Sequence, residues 1–208
     1  MVRGYKVAPM GKRDVEEKAA GVRVAMDLDP LLPLPGVELF ERVRRYHVQV
    51  GNEPIPLTYG VEEEIEQNAL ACATYDAENK EIALVLSAAS YAELERGHGR
   101  ARFSVAHELG HAALHADKLV QLTKLDHHRR AMMRSDTAAT PVYRDSEWQA
   151  NAFAGAILMP APGLEWLYLR GRLSVKDLSA MYKVSWSCAE RRIKTFLSDR
   201  RNLLVGWN

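Results

Sequence analysis

The chain of 208 residues has only two cysteines, Cys72 and Cys188, which lie 116 positions apart. Two thiols are too few for a disulfide scaffold, and they predict a reducing compartment. There is no surplus of charge of one sign: 28 basic and 27 acidic side chains leave a net charge of +1. The protein as a whole therefore exerts no pull toward nucleic acid or an anionic membrane surface. Aromatic residues are sparse at 8%. No apolar run approaches the roughly 18 residues of a membrane span. The first twenty residues, MVRGYKVAPMGKRDVEEKAA, lack the apolar core of a signal peptide. Together these absences predict a cytoplasmic protein. What remains, with 47% hydrophobic residues, is enough to build one ordinary globular core.

Charge is unevenly distributed along this balanced chain. Residues 53–95 carry ten acidic side chains against one basic, and residues 170–201 carry nine basic against three acidic. Two solvated faces explain this most simply; the alternative is that the basic end meets an acidic partner such as nucleic acid.

Apolar spacing predicts helices over Arg13–Met26 and Val37–Val50, the latter through Leu39, Phe40, Val43 and Val48. Residues 55–59 read as a short strand. Ala69–Tyr75 and Glu81–Leu86 are β-prone runs joined by turn formers, hence a hairpin. Helices follow over Arg102–Ala116 and Glu147–Leu158. The stretch 117–144 lacks periodicity and reads as a connection. Three further helices are expected at 163–170, 174–182 and 185–198. The fold class is α+β and mostly helical, with a small antiparallel β-sheet. A main unit over 1–160 and a C-terminal helical appendage over 161–208 are the expected divisions.

The chemistry concentrates in His107-Glu108-Leu109-Gly110-His111. Residues four apart share a helix face, so His107 and His111 point the same way, as two imidazoles must to share one zinc ion. Glu108 sits beside the first of them, where its carboxylate can take a proton without occupying the metal. Phe103, Val105, Ala106, Leu109, Ala112, Ala113 and Leu114 make the helix mostly apolar, and buried imidazoles need partners. His115, about 80° further round the helix from His107, reads as a core or helix-end histidine rather than a third ligand. Glu147 is a better candidate, with Asn151 one turn on as a supporting hydrogen-bonding group; an ordinary first-turn acid facing the helix dipole is the alternative. Small residues at 150, 152 and 154–156, opposite Gly110, Ala112 and Ala113, would let the two helices approach closely.

The segments HELGHAALH and EWQANAFAGAILMP resemble the signature of the ImmA/IrrE metallo-endopeptidases, in which an HExGHxxLH helix is paired with a later ExxANxFAxxLLMP helix. The opening Val7–Arg13 is similar as well. The resemblance is tight over about 102–116 and 147–160. It implies a zincin-like site with zinc held by His107, His111 and Glu147, and with Glu108 as general base. It also implies a cytoplasmic protease acting on a specific protein, a repressor-type DNA-binding regulator, in stress responses or mobile elements.

Other residues carry weaker signals. Tyr143, His127 and His128 are candidates to steady a developing oxyanion. Residues 173–193 have a helix-turn-helix rhythm, with Arg191, Arg192 and Lys194 available to phosphates; a packing appendage is the simpler reading. The four tryptophans read as packing anchors, and both cysteines as small core residues. The alternative to the protease is a DNA- or protein-binding regulator with a structural metal site. Glu108 weighs against that, because a structural site needs no free carboxylate beside its ligands.

Overall fold

The computed structural model describes residues 4–65, 69–125 and 141–204. Among them are eight α-helices and a four-stranded sheet, so the α+β, mostly helical class holds. The first helix, α1 (Lys12–Ala25), buries Val15, Ala19 and Val22 along one stripe. Its Arg23 is buried as well, and donates to the carbonyls of Asp29, Leu32 and Ile157. One guanidinium thus satisfies both the breaker segment after α1 and the C-terminal end of a distant helix.

The expected helix over Val37–Val50 is only half correct. Helix α2 (Gly36–Glu41) runs into a 3-10 turn at Arg42–Arg45, and His47–Val50 is strand β1. Leu39, Phe40 and Val43 do lie on a buried helical face, but Val48 and Val50 alternate with polar residues at the period of a strand. Gly51, at φ +60°, then turns the chain into β2 (Glu53–Glu62). The hairpin chemistry overrides the helical spacing.

The predicted hairpin of β3 (Ala71–Asp76) and β4 (Glu81–Ser87) is present and antiparallel. The sheet as a whole is not antiparallel, however. Its order is β1-β2-β4-β3, with β2 parallel to β4. Strand β4 is the most apolar, burying Ile82, Leu84, Val85 and Leu86, and so takes an interior place. That leaves β3 at an edge.

Helix α3 (Ala88–Glu95), capped by the Ser87 hydroxyl, leads into α4 (Gly99–Thr123). Helix α4 is longer than its predicted span, since residues 117–123 continue it; the rest of the expected connection, up to 140, includes residues outside those described. The backbone departs from helical geometry at His115 (φ −129°, ψ 25°). After a short 3-10 turn at Val142–Arg144 come α5 (Ser146–Leu158), α6 (Ala161–Leu169), α7 (Val175–Tyr182) and α8 (Trp186–Leu203).

Helix α4 is sandwiched between the sheet and α5, and α5 in turn packs on α1 and α8. A shared core runs from Val15 and Phe40 through Leu84 and Leu109 to Leu164, Leu178 and Phe196. Arg192 of α8 lies inside it. Its guanidinium is paired with Glu16 and donates to the Met159 carbonyl at 2.9 Å. Arg192 is therefore unavailable to phosphates, contrary to expectation: its position faces α1 and α5, whereas Arg191 and Lys194 face solvent. The tryptophans differ too. Trp166 stacks on Arg170 at the surface and Trp186 is 61% exposed, so neither is a core anchor; Trp207 lies outside the described residues. Cys188 is a buried core thiol, whereas Cys72 is half-buried on β3. No single helix among the described residues is long and apolar enough to cross a membrane.

Candidate metal centre

Burial of Phe103, Val105, Ala106, Leu109 and Ala112 against the sheet and α5 fixes the rotation of α4 about its axis. That rotation aims His107 and His111 into a cleft of about 360 Å³ between α4, β3 and the start of α5. Gly110 makes the approach of α5 possible: a Cβ there would sit 3.1 Å from the Ala150 Cα. The Asp145 carboxylate caps α5 by accepting from the N–H groups of Glu147 and Trp148. Glu147 thereby occupies the first turn and faces both histidines.

Ligand-type atoms of three residues converge. The Nε2 atoms of His107 and His111 are 3.1 Å apart, and each lies 3.3 Å from a Glu147 carboxylate oxygen. A tetrahedral zinc ion with bonds near 2.05 Å needs ligand atoms about 3.3 Å apart. The separations in this triangle of side chains match that requirement, with each Glu147 oxygen facing one imidazole, and the donor set of two imidazoles and a carboxylate suits zinc. Among the described residues this is the group of side chains that could hold a metal. Glu147 is kept ionised despite burial by its bonds to the two histidines.

Glu108 is half-buried beside the triangle. Burial raises its pKa, while His111, His107 and the Ala73 N–H pull in the opposite direction. The Ala73 contact is informative. Ser87 N–H donates to the Leu70 carbonyl, so the register pairs residues 72, 74 and 76 inward to β4. Ala71, Ala73 and Tyr75 therefore turn their backbone groups outward along the cleft, and Glu108 takes one of those N–H groups.

Asn151 donates to the Glu147 carbonyl at 2.7 Å. It also sits close enough to His107 to favour the protonated imidazole, although the buried His107 Nδ1 has no hydrogen bond of good geometry among the described residues. His115 is 4% exposed and points away from the triangle, its Nε2 lying 2.9 Å from the Gln149 Oε1. Burial pushes its pKa down to about 4, so it is neutral near pH 7.

Of the residues expected to face an oxyanion, Tyr143 is 46% exposed and does not line the cleft; His127 and His128 lie outside the described residues. The structure instead brings Tyr5 and Lys118 to the cleft wall. The Tyr5 N–H donates to the Ser146 hydroxyl at 2.9 Å, and the Ser146 N–H donates to the Tyr5 carbonyl at 3.0 Å. Nothing local in the sequence announces this pairing of residues 141 positions apart. Gln149, also unanticipated, carried one legible sign: it is a polar residue amid an apolar helix.

A peptidase family model described as the IrrE N-terminal-like domain matches residues 95–194. The matched stretch contains both metal-site helices. Over residues 95–194 the chain matches the ImmA/IrrE family. This ImmA/IrrE region extends past α5 through α6, α7 and the first half of α8. No curated protein matches the chain. Among solved structures it is similar to a Mycobacterium tuberculosis transcriptional regulator, with 17% identity and a TM-score of 0.48. The match covers 87% of this chain and 47% of that one, so the chain spans about half that protein's length.

Proposed function

We propose that the chain is a zinc-dependent endopeptidase in which His107, His111 and Glu147 hold the metal and Glu108 is the general base. The observation that carries this reading is the convergence of two imidazole Nε2 atoms and the Glu147 carboxylate, at separations of 3.1–3.3 Å, beside the desolvated Glu108 carboxylate. Zinc bound there supplies Lewis acidity toward a water and toward the substrate carbonyl. Glu108 accepts the proton of the attacking water and delivers it to the leaving amine. Burial favours this role by raising its proton affinity, and the Ala73 N–H holds its carboxylate in place. Asn151 steadies the backbone of Glu147. An extended substrate segment pairs with the outward backbone groups of Ala71 and Tyr75 and with the Ala73 carbonyl by strand addition.

The substrate is a specific intracellular protein, a repressor-type regulator. The family resemblance supports narrow rather than general proteolysis, in which remote docking of the substrate supplies part of the rate. The test compares casein with a candidate repressor at equal enzyme and saturating zinc. Cleavage of the repressor, little cleavage of casein and loss of both with Glu108→Gln are expected. Rapid casein digestion abolished by Glu108→Gln would keep the protease and refute its specificity. No cleavage of any repressor, with salt-sensitive DNA binding that Arg191→Ala and Lys194→Ala weaken, would replace the enzyme with a DNA-binding regulator.

A further inference from the structure

We propose that Gln149 is a positioning residue for the metal centre, acting through His115 to fix which ring nitrogen of His111 carries the proton. The proposal deepens the metalloprotease reading and rests on it for the role of the metal.

The Gln149 amide is 1% exposed and touches three partners. Two of them are backbone carbonyls, Ala8 O and Tyr143 O, each 2.8 Å from Nε2. A carbonyl can only accept, so the NH2 end of the amide must face them, and its oxygen must face His115. The orientation of this amide is thereby decided by its neighbours.

The rest follows along the chain of contacts. The Gln149 oxygen accepts, so His115 Nε2, 2.9 Å away, carries a proton. A neutral imidazole has one proton, which leaves His115 Nδ1 with a lone pair. That lone pair faces His111 Nδ1 at 3.3 Å. His111 must then donate from Nδ1, and its Nε2 presents a lone pair to the triangle shared with His107 and Glu147. The opposite tautomer would set two lone pairs against each other between His111 and His115, and would aim a proton where a metal ligand needs electrons. Second partners of this kind orient a ligating imidazole and raise its basicity. His107 has no comparable support, since its Nδ1 lacks a partner among the described residues.

The far end of the relay is on the N-terminal segment. Ala8 supplies one of the two carbonyls, and the segment is held by Val7 N–H to Arg144 O at 2.9 Å and Met10 N–H to Tyr143 O at 3.0 Å. Residues near the start of the chain thus set the state of a ligand on α4.

The test begins with the full-length, metal-free chain labelled with 15N-histidine. Multiple-bond proton–nitrogen correlation spectra near pH 7 read each ring's tautomer. The expected result is His115 protonated on Nε2 and His111 on Nδ1; His115 protonated on Nδ1 overturns the proposal. The second arm is Gln149→Met, which keeps length and burial but removes donor and acceptor. It should weaken zinc binding, measured by competition with a chromophoric chelator, by roughly 10–100-fold, and should abolish the single His115 tautomer. A folded variant with wild-type zinc affinity and the same His115 spectrum overturns the proposal. A purely packing role would lower the melting temperature without changing the tautomer. If Gln149→Met does not fold, the wild-type spectrum still decides. If the wild-type chain takes up no zinc at all, the metalloprotease reading fails, while the spectrum independently reads the relay.

Discussion

Replacing Gly110 with alanine separates the stability of this protein from its chemistry. In a helix interior, alanine is ordinarily more favourable than glycine by about 0.5–1 kcal/mol. At Gly110 the new Cβ would lie 3.1 Å from Ala150 Cα, 3.2 Å from the Ala150 carbonyl oxygen and 3.2 Å from Phe153 Cδ1. Comfortable carbon contacts are about 3.5–4.0 Å, so α5 must retreat from α4 by about 0.5 Å. Two of the three crowding atoms are backbone and cannot rotate away. Overpacking of this kind costs about 1–3 kcal/mol, leaving a net destabilisation of about 0–2 kcal/mol. The ligand triangle is less tolerant, because its two 3.3 Å contacts from His107 and His111 to Glu147 join the two helices being pushed apart. A misplacement of 1 Å can cost about 100-fold in rate, so half of that should cost about 10-fold in zinc affinity and peptidase rate. Gly21→Ala is the control. It sits mid-helix in α1 with nothing within 4 Å of its Cβ, and should gain about 0.5–1 kcal/mol with unchanged zinc binding. Urea denaturation of both variants, with zinc titrations in parallel, gives the comparison. If Gly110→Ala is stabilised as much as Gly21→Ala and binds zinc like the wild type, close helix approach is not what assembles the site.

Arg192→Met strands the buried Glu16 carboxylate and should destabilise the fold by about 3–5 kcal/mol, seen as a melting temperature lower by about 6–20 °C; exposed Arg191→Ala should change it little. Cys188 is pushed up by burial from its ordinary 9.0 to about 11, so its contribution is fully present below pH 9 and lost as pH rises through about 11. Wild-type unfolding free energy should fall by up to about 2–3 kcal/mol across that window more than that of Cys188→Ala; equal losses would contradict the assignment. Purified protein should bind about one zinc per chain, and Glu147→Ala should abolish retention on gel filtration; retention by that variant would remove Glu147 from the ligand set.

The site was more legible in the sequence than the sheet was. His107, Glu108 and His111 owe their arrangement to spacing within one helix, and Glu147 with Asn151 to spacing within another, so local periodicity carries both. The approach of the helices could be read from Gly110 facing Ala150. Pairing between remote segments has no such local record. The parallel register of β2 and β4 depends on β4 winning the interior place by its apolar content, which only the assembled sheet reveals. Val48 and Val50 fit a strand, and extend a helical pattern only by counting Val48 at a forced spacing. Gly51 at φ +60° was the deciding residue. Tyr5 and the Ala8 partner of Gln149 were missed because each bond spans 141 residues.

That last separation has a kinetic side. The bonds from Gln149 to Ala8 and from Tyr5 to Ser146 each close a loop of 141 residues. Loop closure over such a span is entropically costly, and contacts of high sequence separation form late. Helix α4 can fold and expose its two imidazoles well before the N-terminal segment docks on residues 141–146. On the ribosome, this docking must await synthesis of nearly three quarters of the chain. The latch around the metal centre is therefore among the last structures to form, and a nascent chain holds its histidines without it.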